Sequence, residues 1–377
     1  MIIARCIDEI DDPRSTINRI FSLEALVLVI FSSVISGYDS VEEMVDFTDL
    51  KFDWLNKWVD LPRVPSAETP RFLLCTISSQ QLAQCFKKFV ELNSLNQTGD
   101  FIPIDGKTMR GTDQRGFDAV RVISAWSTHH GLTLAALESQ GKKNEIQTIP
   151  EVVRMVGAKN AIFSTDAMGC QTKIAASIID SGNDYMLQIK GNQANLLKEI
   201  QAYHHKLERD GYDHESYQVL EEVDKGHGRI EQRCYTHFKP TDWVDGLDNW
   251  ESLKSAVKVN RKRTIGGVEV EKISWYISSL PVDVQLAAKS IRSHWGIENS
   301  LHWRLDVIFR EDQYSVYSGN GALNMAIIKR FCMNLLKQAK PGTLPTLGLM
   351  QRQPITQQLK ASIPMCPDKT LQRITVN

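Results

Sequence analysis

A chain of 377 residues with 44 basic and 45 acidic side chains, 42% hydrophobic residues and a net charge of −1 has the composition of a soluble globular protein of two or three units. No bulk basicity advertises nucleic acid, so any such contact must come from a local basic face. Seven cysteines stand singly, outside any C-x-x-C pair; this excludes a disulfide framework or cysteine zinc site and points to a reducing cytoplasm.

The first residues turn acidic between Asp8 and Asp12 and do not form a basic-then-apolar signal. The apolar run from Ile20 to Ile35 carries Glu24 and three serines. It falls short of the roughly 20 apolar residues of a membrane span and reads as a buried helix. Gly37 stops it, and Ser40 with Glu43 forms a capping box that opens a second helix through Phe47. Two prolines between Leu61 and Ser66 make a loop, and a further helix runs from Ser79 to Glu91. Residues 1–95 are therefore expected to form a helical domain for DNA binding or dimerisation. The Asn-, Gly- and Thr-containing stretch from Leu92 to Asp100 is the linker.

Beyond the linker, strands and helices alternate. A short strand, Phe101 to Ile104, ends in Asp105-Gly106; Ala119 to Ser127 and Leu132 to Ser139 form a hairpin around His129-His130-Gly131. A helix from Ile146 to Val156 precedes the strand Ala161 to Ser164, which ends in Thr165-Asp166-Ala167. A helix from Gln171 to Asp180, a strand from Tyr185 to Ile189 and a helix from Asn195 to Glu208 follow. This order predicts a mixed α/β sheet in which acids at strand ends share one cleft. Between about 209 and 281 helical periodicity gives way to strands, with Gly266-Gly267 as a hairpin turn. Helix returns after Pro281. The catalytic unit is thus expected over 96–340, and a proline-containing tail over 341–377.

Asp105 and Asp166 close two strands beside the small residues Gly106, Ala167 and Gly169. Read as a helix, Ile291 to Asp306 places His294, Glu298 and His302 on one face. Trp295, Ile297 and Trp303 would then pack it against the core. Three carboxylates on separate elements match the oxygen ligands wanted by a pair of Mg²⁺ ions, which clamp the attacking and leaving oxygens of a phosphoryl transfer. Asp306, Glu311 and Asp312 are rival third ligands on residues alone.

The segments Ile104-Asp-Gly-Lys-Thr-Met-Arg-Gly111, Ser164-Thr-Asp-Ala-Met-Gly-Cys-Gln171 and His294-Trp-Gly-Ile-Glu-Asn-Ser-Leu-His-Trp303 resemble signature blocks of the H-repeat-associated DDE transposases, proteins of bacterial insertion sequences. Similarity continues in Gln188 to Gln193, Gly226 to Arg233 and Leu305 to Asp312, and Asp12-Pro13-Arg14 with Pro65-Ser66 resembles the family's helical N-terminal domain. The resemblance implies a ribonuclease-H-like core with a β-rich insertion before the last catalytic helix. It also implies that Asp105, Asp166 and Glu298 are catalytic and hold two Mg²⁺ or Mn²⁺ ions. The implied partner is double-stranded DNA, at element ends and target, bound by a homodimer with no membrane involved. The implied activity is DNA cleavage and strand transfer; a nuclease of the same fold, or a non-catalytic domesticated DNA binder, are the alternatives. One departure stands out. Related transposases with such an insertion carry Arg four residues before the glutamate and Lys seven after it, where this chain has His294 and Leu305. Arg292, His302 or Arg304 would replace them as phosphate contacts.

Lys107 and Arg110, beside the first acid, are further candidates for the scissile phosphate. Lys190, Asn192 and Gln193 stand either as DNA contacts or as a solvated loop. Lys254, Lys258, Arg261, Lys262 and Arg263 form the densest basic stretch, supplemented by Lys225, His227, Arg229 and Arg233. It is expected to contact phosphates, the main source of affinity in DNA-binding proteins.

Overall fold

The computed structural model describes residues 6–338 except 18, 94, 113–118, 140–143, 212, 214, 227–228, 242–243, 267 and 314–317. The expected tail at 341–377, His227, Gly267 and the side chain of Arg229 lie outside the described residues.

Five helices come first: α1 (Leu23–Ile35), α2 (Val41–Leu50), α3 (Phe52–Leu55), α4 (Glu68–Thr76) and α5 (Ser79–Leu92). Serines set the starts of α1, α2 and α5. The Ser22 side chain accepts from the Ala25 N–H, which delays α1 past the exposed Ile20. Ser40 and Glu43 form the expected capping box, and Ser78 caps α5 through the N–H of Gln81. Every residue of α1 from Ala25 to Phe31 is buried, as its uninterrupted apolar sequence requires.

The α/β part runs β1 (Phe101–Thr108), β2 (Arg121–Ser127), β3 (Leu132–Ser139), α6 (Glu145–Val156), β4 (Ile162–Thr165), α7 (Thr172–Asp180), β5 (Asp184–Ile189) and α8 (Ala194–Asp210). Then come β6 (Tyr217–Gly226), β7 (Arg229–Phe238), β8 (Ser255–Ile265), β9 (Val268–Ser278), α9 (Val284–Ile297), α10 (Trp303–Val307) and α11 (Gly321–Gln338). All strands join one sheet in the order β3-β2-β1-β4-β5-β9-β8-β7-β6. Strands β1 to β3 are antiparallel, with Gly131 at φ +67° in the turn, and β4 and β5 run parallel to β1. This is the expected ribonuclease-H-like arrangement.

The strands of the 209–281 segment continue that sheet rather than forming a second one. Strand β9 pairs antiparallel with β5 from Met186↔Ser278 to Ile189↔Trp275, covering an edge that would otherwise leave its N–H and C=O groups unpaired. Helix α9 packs Val284, Ala287, Ala288 and Ile291 on one face of these strands, against Met186, Val257 and Tyr276. The other face, at Tyr217, Phe238 and Trp275, meets Tyr203 and His204 of α8.

Helix α11 is buried from Gly321 to Asn334 and joins the N-terminal helices to the sheet. Phe331 lies 4.4 to 5.3 Å, ring to ring, from Phe31, Phe86 and Phe89. Beside it, Lys329 meets Asp39 of the N-terminal part at 2.9 Å and Arg330 meets Glu311 at 2.6 Å. Among the described residues no helix is long and apolar enough to cross a membrane.

Candidate active site

Strand β1 does not end at Asp105, contrary to the sequence expectation. Pairing with β2 carries it on through Asp105↔Ser124, Gly106↔Ile123, Lys107↔Val122 and Thr108↔Arg121, overriding the poor strand propensity of Gly106. The space beside Asp105 arises from the other neighbour: β4 stops at Thr165, which pairs with Ile104. Asp166 is the next residue, just past the last paired position, and close enough for its charge to act on the Asp105 carboxyl. The Gly106 N–H donates to Asp105 Oδ1 at 2.8 Å. Asp166 Oδ1 accepts from the N–H groups of Met168 and Gly169 at 3.0 and 3.2 Å. Both aspartates are thus turned and fixed by their own backbone.

Glu298 arrives from above. The expected straight helix is interrupted: α9 ends at Ile297, and Glu298–His302 form one π-helical turn before α10. Such insertions are rare and concentrate at functional positions. Here the turn brings His302 Nδ1 to 2.9 Å from Glu298 Oε2 and 3.6 Å from Asp105 Oδ2. One ligand-type atom each from Asp105, Glu298 and His302 lies within 4.8 Å of the others. His302 Nε2 is buried without a hydrogen-bond partner. His294 Nδ1 lies 3.0 Å from Ser164 Oγ and pins α9 to β4.

Burial pushes the Asp105 carboxyl above its ordinary value of 3.8; His302, His294 and the Gly106 N–H pull it back, and Asp166 raises it again. Glu298 is held below its ordinary value, chiefly by the hydrogen bond from His302. Burial holds the His294 imidazole below its usual range, although Asp105 and Asp166 oppose this. A fourth acid, Glu145, feels both aspartates, but it is buried and paired with Arg121.

Several sequence expectations need correction. Lys107 is buried and taken up by Asp306 at 2.6 Å, Asp312 at 3.1 Å and Glu311 at 3.7 Å, so it is not open to a phosphate. The same contacts occupy the three rival third acids. Arg110 is 88% exposed, 3.8 Å from Asp312. Asn192 donates to the Ala167 carbonyl at 2.7 Å and Gln193 to that of Cys170 at 3.0 Å, so both brace the loop after Asp166. Lys190 is exposed and, among the described residues, forms no ion pair. The basic stretch on β8 is largely neutralised within the chain: Lys258 by Glu208, Arg261 by Glu231, Lys262 by Glu271. Arg292 and Arg233 are likewise engaged, by Glu222 and Asp224, and by Asp224 and Glu231. Of the basic residues on β8, only Arg263 is exposed without an ion pair among the described residues.

Trp295 and Trp303 are not core residues; they are 49% and 56% exposed. Their neighbour Ile297 carries the packing, and the Arg261 guanidinium lies 5.6 Å from the Trp295 ring. On another side of the same helical segment, Ser293, Gly296, Ser300 and Arg304 line a recess of about 260 Å³ with Thr128 and Lys337.

Residues 96–335 match the family of transposase DDE domains, and residues 4–90 match the family described as DDE_Tnp_1-associated. The chain belongs to the DDE transposase family. Its relatives include the Escherichia coli K12 protein YbfL, 35% identical over 84% of this chain and 85% of that one. YhhI of the same strain, an H repeat-associated protein that carries a transposase name, is 34% identical over 88% and 89%. A solved structure of the piggyBac transposase synaptic complex with hairpin DNA is similar at a TM-score of 0.43 and 11% identity, covering 89% of this chain and 70% of that one.

For this DDE transposase, two features around the expected acids have no signal in the sequence, and a third has a partial one. His302, whose four-residue spacing puts it on the face of Glu298, sits between Glu298 and Asp105 and not at a phosphate-binding position of its own. The Arg304–Lys337 recess joins residues 33 positions apart, and nothing in the sequence pairs them. Glu145 gave no signal among the 45 acids.

Proposed function

We propose that this transposase cleaves and joins DNA by metal-dependent phosphoryl transfer, with Asp105, Asp166 and Glu298 holding two Mg²⁺ or Mn²⁺ ions. The observation that supports this reading is the grouping of Glu298 with Asp105 and His302, with Asp166 one residue past the last strand position paired with β1. The donor set suits such ions. Hard dications take carboxylate oxygens, and among the described residues neither aspartate has a Lys or Arg ion pair to neutralise it. When bound, a metal pair activates a water or a DNA 3′-hydroxyl and stabilises the leaving oxygen.

The chain's own residues hold the geometry. His302 orients Glu298 through its 2.9 Å hydrogen bond, a carboxylate–histidine support of the kind that commonly surrounds metal sites. Asn192 and Gln193 fix the loop behind Asp166. Arg304, Lys337, Lys190, Arg110 and Arg263 are the cations placed to meet DNA phosphates, and they are sequence-independent contacts. No Ser or Tyr nucleophile is needed. The working form is a homodimer on two element ends in the cytoplasm, its helical N-terminal region (1–95) serving DNA binding or dimerisation and the 96–340 unit serving catalysis.

The test is an assay on DNA carrying the terminal inverted repeats of the chain's own element. Mg²⁺ or Mn²⁺ should give both cut ends and joined products, whereas Ca²⁺ should permit binding with little cleavage because its looser coordination misplaces the attacking oxygen. Cleavage in excess chelator would overturn the metal mechanism. Cut ends without joined products would reduce the function to that of a nuclease.

A further inference from the structure

We propose that His204, His205 and Glu208, at the last turns of α8, form a second metal site that takes a first-row transition ion of the zinc class. It lies outside the acidic cluster and does not depend on the reading of that cluster as catalytic.

Two of the three ligand–ligand spacings have the length of a tetrahedral edge. His204 Nδ1 and His205 Nδ1 each lie 3.4 Å from the same oxygen, Glu208 Oε2. With metal–ligand bonds of about 2.1 Å, the edge of a tetrahedron is about 3.4 Å. The three ligand atoms all lie within 4.8 Å of one another. A second observation concerns burial: despite that spacing, the contact to Glu208 does not amount to a hydrogen bond. The His204 side chain is completely buried, and its Nδ1 has no hydrogen-bond partner. A buried polar atom without a partner is costly, and an ion at the centre of the cluster would satisfy it.

The surroundings fit a bound ion. The other ring nitrogen of His204 faces Tyr217 Oη on β6 at 3.4 Å, and rings of Tyr217, Phe238 and Trp275 enclose the imidazole. A partner on the far nitrogen is the usual way in which a ligating histidine is oriented. His205 and Glu208 are 73% and 46% exposed, which leaves an entry path and a side for water as fourth ligand. The Lys258 ammonium lies 3.7 Å from Glu208 at Oε1, whereas the histidines meet Oε2. Two imidazole nitrogens and one carboxylate oxygen favour zinc, copper or nickel over magnesium or calcium. An ion there would fasten the end of α8 just before the chain enters β6.

The experiment uses the full-length chain, stripped with chelator and carrying Asp105→Asn to weaken the competing Asp105–Glu298–His302 group. Zinc chloride is titrated in excess magnesium against a chromophoric chelator, and melting is followed with and without zinc. One zinc should bind and raise the melting midpoint. His205→Ala and Glu208→Gln, both at exposed positions that spare the fold, should each weaken binding at least about tenfold and remove the zinc-induced rise. Absence of zinc binding, or equal affinity in both variants, would overturn the proposal. His204→Ala is avoided because its burial would confuse loss of the metal with loss of packing.

Discussion

At the scale of single residues, the site is built from one strained electrostatic position. Asp105 is buried enough for its carboxyl to be pushed above 3.8, and the two histidines only partly compensate. The sign follows from linkage. A carboxyl whose folded value is raised favours the fold while protonated, at pH below its ordinary value. That contribution disappears as pH climbs through the raised value. Metal-free chain should therefore lose stability from acid to neutral pH in this range, and Asp105→Asn should lose less. At neutral pH the Asn variant should melt higher than the parent without metal, with the difference shrinking on acidification. Thermal melts over that pH range in chelator measure this. Equal pH dependence in the two proteins would mean that Asp105 is not the group responsible.

At the scale of elements, the loop after β4 and the π turn after α9 decide whether the acids meet. A Cβ on Gly169 would come within 2.6 Å of the Thr165 Cβ and Oγ1, and the Cβ is fixed to the backbone and cannot swing away. Gly169→Ala must therefore shift Thr165 or the backbone that donates to Asp166, and cleavage should fall roughly 10- to 100-fold, as for losses of metal-site support, with DNA binding retained. Undiminished cleavage would show that this loop is not rigidly required. The sequence made the elements themselves readable because capping serines, periodicity and turn glycines act locally, as at Ser40–Glu43 and Gly131. It could not show where β1 ends, since pairing with β2 overrides Gly106, nor the π turn, which has no periodic signature. The exposure of Trp295 and Trp303 was equally hidden: apolar character is a poor guide to which large side chains stay outside.

At the scale of the whole molecule, near-neutral charge and a family that acts through DNA must be reconciled. Of the β8 cations that looked like a DNA face, Lys258, Arg261 and Lys262 are matched by acids from α8, β7 and β9 that packing and strand register bring close. Among the described residues, the cations without an ion pair include Arg263 on β8 and, elsewhere, Arg304 and Lys337 at the recess beside the helical segment that carries Glu298. Replacing both by Gln should weaken binding similarly on all sequences and lower the log–log salt slope by about 1 for each phosphate no longer neutralised. The slope of fluorescence-anisotropy titrations reads this directly, and an unchanged slope would remove the recess from the DNA path. The most direct test of the central claim compares wild type with Glu298→Gln on element-end DNA in Mg²⁺, measuring binding and cleavage together. The account predicts unchanged or slightly tighter binding, because a negative charge near DNA is removed, with cleavage below detection. Full cleavage by Glu298→Gln would contradict it.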